Sequence, residues 1–186
     1  VSADGGVTAG QTVGPFFGFG LPYPGGEDLV SPHSPGSLLL TGRVLDGAGA
    51  PVPDALVEIW QPGQDGLVPE QPGSLRRDGI TFTGFGRAAT DSEGRYRFWT
   101  VAPGPTPGSE AAPFIAVAVF ARGLLDRLHT RVYLPDDDEP LARDPLLRSL
   151  EPAERETLIA RRGDDGRLVH DIRLQGEKET VFLVYR

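Results

Sequence analysis

Gly86-Arg87-Ala88-Ala89-Thr90, Asp91-Ser92-Glu93-Gly94 and Arg95-Tyr96-Arg97-Phe98-Trp99-Thr100-Val101 form the stretch that decides the fold. In its last part Tyr96, Phe98 and Thr100 alternate with Arg95, Arg97 and Trp99, the two-residue period of a strand with one face toward a core. Turn-forming residues at 91–94 separate it from a short run at 86–90, so two strands joined by a tight turn are expected.

The same punctuation runs outward in both directions. Leu38, Leu39, Leu40, Gly42 and Val44 mark a strand over Ser37 to Leu45, Asp46-Gly47-Ala48-Gly49 turns the chain, and Ala55 to Gln61 makes its hairpin partner. After a loop from Pro62 to Asp78, Ile80-Thr81-Phe82 reads as a short strand. Phe114 to Ala121 is continuously apolar, as a strand covered on both faces would be. Leu128 to Leu134, Leu168 to Leu174 and Thr180 to Tyr185 bring the number to about eight. With 25 glycines and 18 prolines in 186 residues, about twice ordinary usage, the composition is that of an all-β sandwich or barrel.

One helix is expected, entered at Pro152 with Glu154 and Glu156 early, Arg161 and Arg162 late, and Gly163 at its end. A shorter turn is expected to begin at Asp144-Pro145. Residues 1–36 hold too much glycine and proline for regular structure and read as an extended N-terminal arm, leaving 37–186 as the sandwich domain.

Absence of cysteine excludes a disulfide framework, a zinc ribbon, an iron–sulfur cluster and a thiolate nucleophile. A net charge of −8 argues against a nucleic-acid partner. The longest apolar run is too short to span a bilayer, and Val1-Ser2-Ala3-Asp4 offers no basic or apolar leader, so a soluble, cytoplasmic chain is expected.

Few residues carry chemistry. His33, His129 and His170 have no metal-ligand spacing among them. Gly84-Phe85-Gly86-Arg87-Ala88-Ala89 fits a dinucleotide fingerprint by letter, but a turn follows where a helix must open. Its glycines read instead as a bulge or a close backbone approach. Asp136-Asp137-Asp138-Glu139 lacks the alternation of a calcium loop, and no Gly-x-Ser-x-Gly elbow exists. Arg122 stands apart: it follows the most apolar strand and meets Gly123, where a guanidinium can reach an anion or serve as an ordinary salt bridge.

Several segments, in order and over nearly the whole chain, resemble the protocatechuate 3,4-dioxygenase family of non-haem Fe(III) intradiol ring-cleaving enzymes, built of homologous alpha and beta chains. They are Gln11-Thr12-Val13-Gly14-Pro15-Phe16, Leu40-Thr41-Gly42-Arg43-Val44, Val57-Glu58-Ile59-Trp60-Gln61 and Phe85-Gly86-Arg87. Further on come Val119-Phe120-Ala121-Arg122-Gly123, Leu128-His129-Thr130-Arg131-Val132-Tyr133, Glu154-Arg155-Glu156-Thr157-Leu158-Ile159-Ala160 and Asp171-Ile172-Arg173-Leu174-Gln175-Gly176-Glu177. The resemblance implies a transthyretin-like β-sandwich of mainly antiparallel strands with one short helix.

It also implies which chain type this is. The catalytic beta chain of the family holds ferric iron with two tyrosinates and two imidazoles. Here Phe114 and Ala116 stand at the histidine positions of Ala112-Pro113-Phe114-Ile115-Ala116, Val68 at about the first tyrosine, and Thr106 of Pro103-Gly104-Pro105-Thr106-Pro107 at the second. The sequence is thus similar to the alpha type, with no catalytic residue, no metal and no cofactor of its own, and Fe(III) in the partner beta chain. The same resemblance implies an alpha–beta protomer in a larger hetero-oligomer that cleaves protocatechuate to 3-carboxy-cis,cis-muconate. Thr12, Gly14, Pro15 and Arg122 of this chain would border the substrate cavity, and Phe16 stands where a tyrosine is common. Two other readings remain at this level: a transthyretin-like binding or assembly module that has lost the reaction, and a self-sufficient enzyme.

Overall fold

The computed structural model describes residue 14 and residues 16–70, 77–136 and 138–184. Two sheets face each other across one core. The first has the order β4 (Arg95–Val101), β1 (Ser37–Leu45), β8 (Leu168–Val169), β7 (Arg161–Arg162), with β9 (Ile172–Arg173) also on β1. The second has the order β3 (Phe85–Ala89), β2 (Leu56–Trp60), β5 (Phe114–Phe120), β6 (Leu128–Tyr133). Pairing is antiparallel except where β1 meets β8, with Leu40 opposite Leu168, and β9, with Val44 opposite Ile172.

Alternation places Leu40, Val44, Tyr96 and Phe98 of one sheet against Val57, Ile59, Ile115, Val117 and Val119 of the other. Gly86 belongs to this packing, since a Cβ there would stand 2.5 Å from Leu29 Cδ1 and 3.0 Å from Phe98 Cδ1. Gly42 is required still more strictly. Tyr96 donates its hydroxyl to the His170 carbonyl at 2.6 Å, and a Cβ on Gly42 would lie 1.7 Å from that oxygen.

The expected hairpin of β1 with β2 does not form. After the 46–49 turn Val52 N–H reaches Val44 O at 2.9 Å, and the chain then crosses to the other sheet. Alternation fixes which face a strand buries but not which neighbour it takes. Residues 91–94 make the same kind of crossing, from β3 to β4.

Nor does Ile80-Thr81-Phe82 join a sheet. The Asp78 carboxylate accepts from Ile80 N (2.9 Å), Thr81 N (2.7 Å) and the Thr81 hydroxyl (2.6 Å), a local closure that competes with a ladder. The Thr81 hydroxyl and these two N–H groups hold the Asp78 pKa down at about 2.

The helix expected from Pro152 stops at Glu156. A capping box between Glu151 and Glu154 starts it, but Tyr133 N–H takes the Leu158 carbonyl and Ala160 N–H takes the Tyr133 carbonyl, both at 2.9 Å. That backbone pairing draws 158–160 out of the helix, and Arg161–Arg162 become β7. At Thr180 to Tyr185 the described residues hold a single bridge, Leu183 to His129, in place of a strand. Val181 bonds instead to the hydroxyls of Thr130 and Thr157.

The short turn at Asp144-Pro145 is α3 (Pro145–Ser149), which follows α2 (Asp138–Arg143); α4 is Pro152–Glu156. Asp144, wholly buried, accepts from Leu147 N and Ala112 N, both at 2.9 Å. These helices cover a second core of Ala112, Tyr133, Leu147 and Leu158. Burial there raises the Tyr133 pKa to about 12.

Of residues 1–36 the described part is not wholly detached. α1 is one helical turn, Phe17–Gly20. Glu27 and Asp28 lie along β4, with Trp99 N donating to Glu27 O (3.0 Å) and Leu29 N to Trp99 O (2.9 Å), and Leu29 enters the main core. Leucine in an otherwise glycine- and proline-rich run supplies the apolar side chain that makes this contact worthwhile.

Candidate functional site

β5 carries both features singled out from the sequence, one at each of its ends. Its core face is Ile115, Val117 and Val119; Phe114, Ala116, Ala118 and Phe120 point the other way, where Ala118 is buried and the other three are partly covered. The expectation of a strand covered on both faces is met in part. Phe120 is capped by Phe17, ring centroids 6.4 Å apart, and Phe114 by the Arg131 guanidinium 4.0 Å above its ring.

At the start of β5 the structure gathers the four positions where the family resemblance placed iron ligands. Val68, Thr106, Phe114 and Ala116 line one pocket of about 210 Å3, with Trp60 at its wall. These side chains offer one neutral hydroxyl and no imidazole, phenol, carboxylate or thiolate, so the donor set does not fit ferric iron. Among the described residues no group of three or more His, Cys, Asp or Glu is placed to hold a metal ion.

The histidines have other occupations. His33 lies in an exposed loop. His129 accepts from Arg127 Nε at 3.1 Å, and partial burial and the Arg127 charge lower its pKa. His170 is buried, its Nε2 donating to the Thr157 carbonyl at 2.9 Å; desolvation holds its pKa below the ordinary value.

Arg122 stands two residues past the other end of β5, its side chain 71% exposed and paired with the Asp54 carboxylate. Gly123, at φ +89°, turns the chain away immediately afterwards. Gly14 precedes the Phe17 that packs on Phe120, so the arm and Arg122 meet the same end of the strand. Thr12 and Pro15 lie outside the described residues. Six residue steps of about 3.3 Å separate Phe114 from Phe120 by roughly 20 Å. Arg122 and the described residues of the arm therefore do not line the pocket of their own chain.

Two side chains organise the arm; Arg77 gave no sequence signal, and Arg87 stood only within the Phe85-Gly86-Arg87 segment of the resemblance. Arg77 donates to the carbonyls of Gly25 (3.1 Å), Gly26 (3.1 Å) and Phe85 (2.6 Å) and to the Tyr23 hydroxyl (3.1 Å). Arg87 pairs with Glu58 at 2.6 Å and donates to Leu21 O at 2.8 Å. Arg87 also borders a cleft of about 760 Å3 between the arm and the first sheet, along with Arg43, Arg97 and Arg161. Asp171 and Glu27 answer two of these charges, at 3.6 and 3.4 Å.

The sandwich is shared with solved dioxygenases: the dioxygenase domain of a carbohydrate-binding fusion protein from Streptomyces sp. SirexAA-E superposes with a TM-score of 0.56 at 25% identity, covering 81% of this chain and 87% of the other. A family model described as Dioxygenase matches residues 27–176. The chain belongs to the intradiol ring-cleavage dioxygenase family. It is 43% identical to the protocatechuate 3,4-dioxygenase alpha chain of Burkholderia cepacia, covering 94% of this chain and 95% of the relative. The alpha chain of Pseudomonas putida is 38% identical, covering 94% of each. The beta chain of B. cepacia is 38% identical over 130 residues, 67% of this chain and 55% of its own. Among the described residues no helix is long and apolar enough to cross a membrane.

Proposed function

We propose that this chain is the non-catalytic alpha-type subunit of a protocatechuate 3,4-dioxygenase, paired with a homologous beta-type chain that holds the Fe(III). The observation that carries this reading is the division of β5: a pocket without metal donors at Phe114 and Ala116, and an exposed arginine with the arm at the opposite end. Arg122, which cannot reach its own chain's pocket, is available to border another chain's. Residues 1–36 act as the arm toward the partner and 37–186 as the sandwich, in a cytoplasmic hetero-oligomer.

In this assembly the ferric centre of the beta-type chain supplies the ring-opening chemistry. Arg122 binds the substrate carboxylate with its planar fork, exchanging Asp54 for the benzoate. The Gly14-Pro15 backbone approaches the ring with no side chain in the way, while Thr12 offers a hydroxyl. The product is 3-carboxy-cis,cis-muconate.

Co-expression with a beta-type chain, followed by iron analysis and oxygen uptake on dihydroxybenzoates, tests this. The full chain alone is expected to carry no stoichiometric iron and to consume no oxygen, and the assembly to be iron-loaded and active. A red, iron-loaded chain that cleaves the ring unaided overturns the reading.

A further inference from the structure

The cleft of about 760 Å3 between the arm and the first sheet runs against the charge of the chain. Its lining gathers six arginines against Glu27, Asp91 and Asp171, in a protein whose net charge is −8. A concave wall with an excess of one sign raises the local concentration of the other.

Distances show which of the six are free to change partner. Arg87 is fixed by Glu58 and by Leu21 O, and Arg95 and Arg167 lie 2.7 and 2.6 Å from Glu93 and Asp165. Arg97, by contrast, comes no nearer than 3.4 Å to Glu27 and 3.5 Å to Asp28, and Arg43 no nearer than 3.6 Å to Asp171. Arg161 has no ion-pair partner among the described residues. Asp91 is spent on its own turn, where its carboxylate accepts from Glu93 N at 2.8 Å and Arg95 N at 2.9 Å.

Strand register brings the three loosely held arginines around one point of the sheet. Arg97 stands opposite Thr41, Thr41 is paired on its other side with Val169, and Arg161 stands opposite Val169, so the four make one row. Arg43 lies two residues along β1 from Thr41, on the same face and directly opposite Arg95. With strands about 4.8 Å apart and a rise of about 3.3 Å per residue, the Cα atoms of Arg43, Arg97 and Arg161 fall within roughly 10 Å of Thr41. Like charges opposed across strands repel, and an anion seated among them removes that cost. The floor between them is the Thr41 hydroxyl and the apolar Val169, with Ala88 and the Tyr23 ring also in the lining.

We infer that this cleft is a binding site for a small polycarboxylate anion, held by Arg43, Arg97 and Arg161. Each guanidinium fork takes one carboxylate, and the apolar floor takes the carbon chain that joins them. A monocarboxylate gains a single such contact. The site needs neither iron nor a partner chain, so its failure and the failure of the alpha-subunit reading are separately visible.

The test is a backbone-amide NMR titration of the full chain with propane tricarboxylate and, in parallel, acetate at matched ionic strength. Saturable shifts are expected at the amides of Thr41, Arg97 and Val169, with Kd on the order of 0.1–1 mM at about 20 mM salt and at least about tenfold weaker binding of acetate. Arg97→Gln and Arg161→Gln, both at exposed positions where the fold is not at risk, are each expected to weaken the tricarboxylate about fivefold or more. Arg148→Gln, which removes an exposed arginine outside the cleft, is expected to change it by less than about twofold. No saturable shift up to about 10 mM, acetate bound as tightly as the tricarboxylate, shifts centred elsewhere, or undiminished binding in the Arg97 and Arg161 variants overturns the proposal. Equal weakening by Arg148→Gln overturns it too, because binding would then follow total charge and not the cleft.

Discussion

The two ends of β5 have been put to opposite uses. At Phe114 the outward face is partly covered by Arg131 and packs against a second core, so the residues there answer to packing. At Arg122 the side chain stands in solvent with Asp54 as its ion-pair partner, and the neighbouring arm presents Phe16 and Phe19 almost fully exposed. The strand interior between them is constrained by alternation on both sheets, and the ends are not. A family can therefore discard reactive groups at one end of a strand while keeping a charged contact at the other, without disturbing the sandwich.

Substitutions that separate packing from presentation test this contrast. The largest effect on stability is expected at the packed end: Leu147→Ala should cost about 2–5 kcal/mol in urea denaturation, because Leu147 is fully buried in the second core. The KM for protocatechuate in the folded assembly should not move; if it does, the two ends are coupled.

Arg122→Ala reverses the pattern. Stability should stay within about 0.5 kcal/mol, since the pair is exposed. Loss of a charge-assisted contact of about 1.5–3 kcal/mol should raise KM roughly 10- to 150-fold with kcat little changed. An unchanged KM in an intact, iron-loaded assembly would return Arg122 to a structural salt bridge.

His170 provides a control that belongs to neither end. Burial lowers its folded pKa below 6.5, so between these values the unfolded chain binds more protons. Its stability contribution is complete above about pH 6.5 and declines as pH falls below it, with a slope of at most about 1.4 kcal/mol per pH unit. Thermal unfolding followed from pH 7 to 5 should show this slope equally in the Leu147→Ala and Arg122→Ala variants, and a lesser slope in His170→Asn. A slope unaltered by His170→Asn would assign the acid sensitivity to other groups.

The smallest effect is expected at Asp54. Asp54→Asn frees Arg122, changing stability by no more than about 1 kcal/mol and lowering KM by up to about fivefold. A raised KM would mean instead that Asp54 aims the guanidinium.

Much of this contrast was legible in the residues. The alternation at 95–101, the apolar run at 114–121 and the turn beginning at Asp144-Pro145 appear as β4, β5 and α3 because each is a local signal. The four positions mapped from the family resemblance fall into one pocket. Partners chosen over long range were not legible: β1 declines β2 in favour of β4, β8 and β9, the Tyr133 backbone ends α4 early, and Arg77 holds the arm through carbonyls that no side-chain pattern reveals. Asp54 follows Pro53 in a loop and carries no sequence mark of its ion pair with Arg122.

The parallel pairing of Leu40 with Leu168 sets a clock on biosynthesis. β1 is among the first strands made, yet its inner edge has no neighbour until 128 further residues have been added. At about 5–20 residues per second the ribosome leaves that edge open for roughly 6 to 26 s. Once β4 has been made within this interval β1 can pair with it, but it still offers an unsatisfied row of N–H and C=O groups on its other side, a template for association with any nascent strand nearby. Slow translation between β4 and β8 should accordingly lower the yield of soluble chain more than the same delay placed after residue 173.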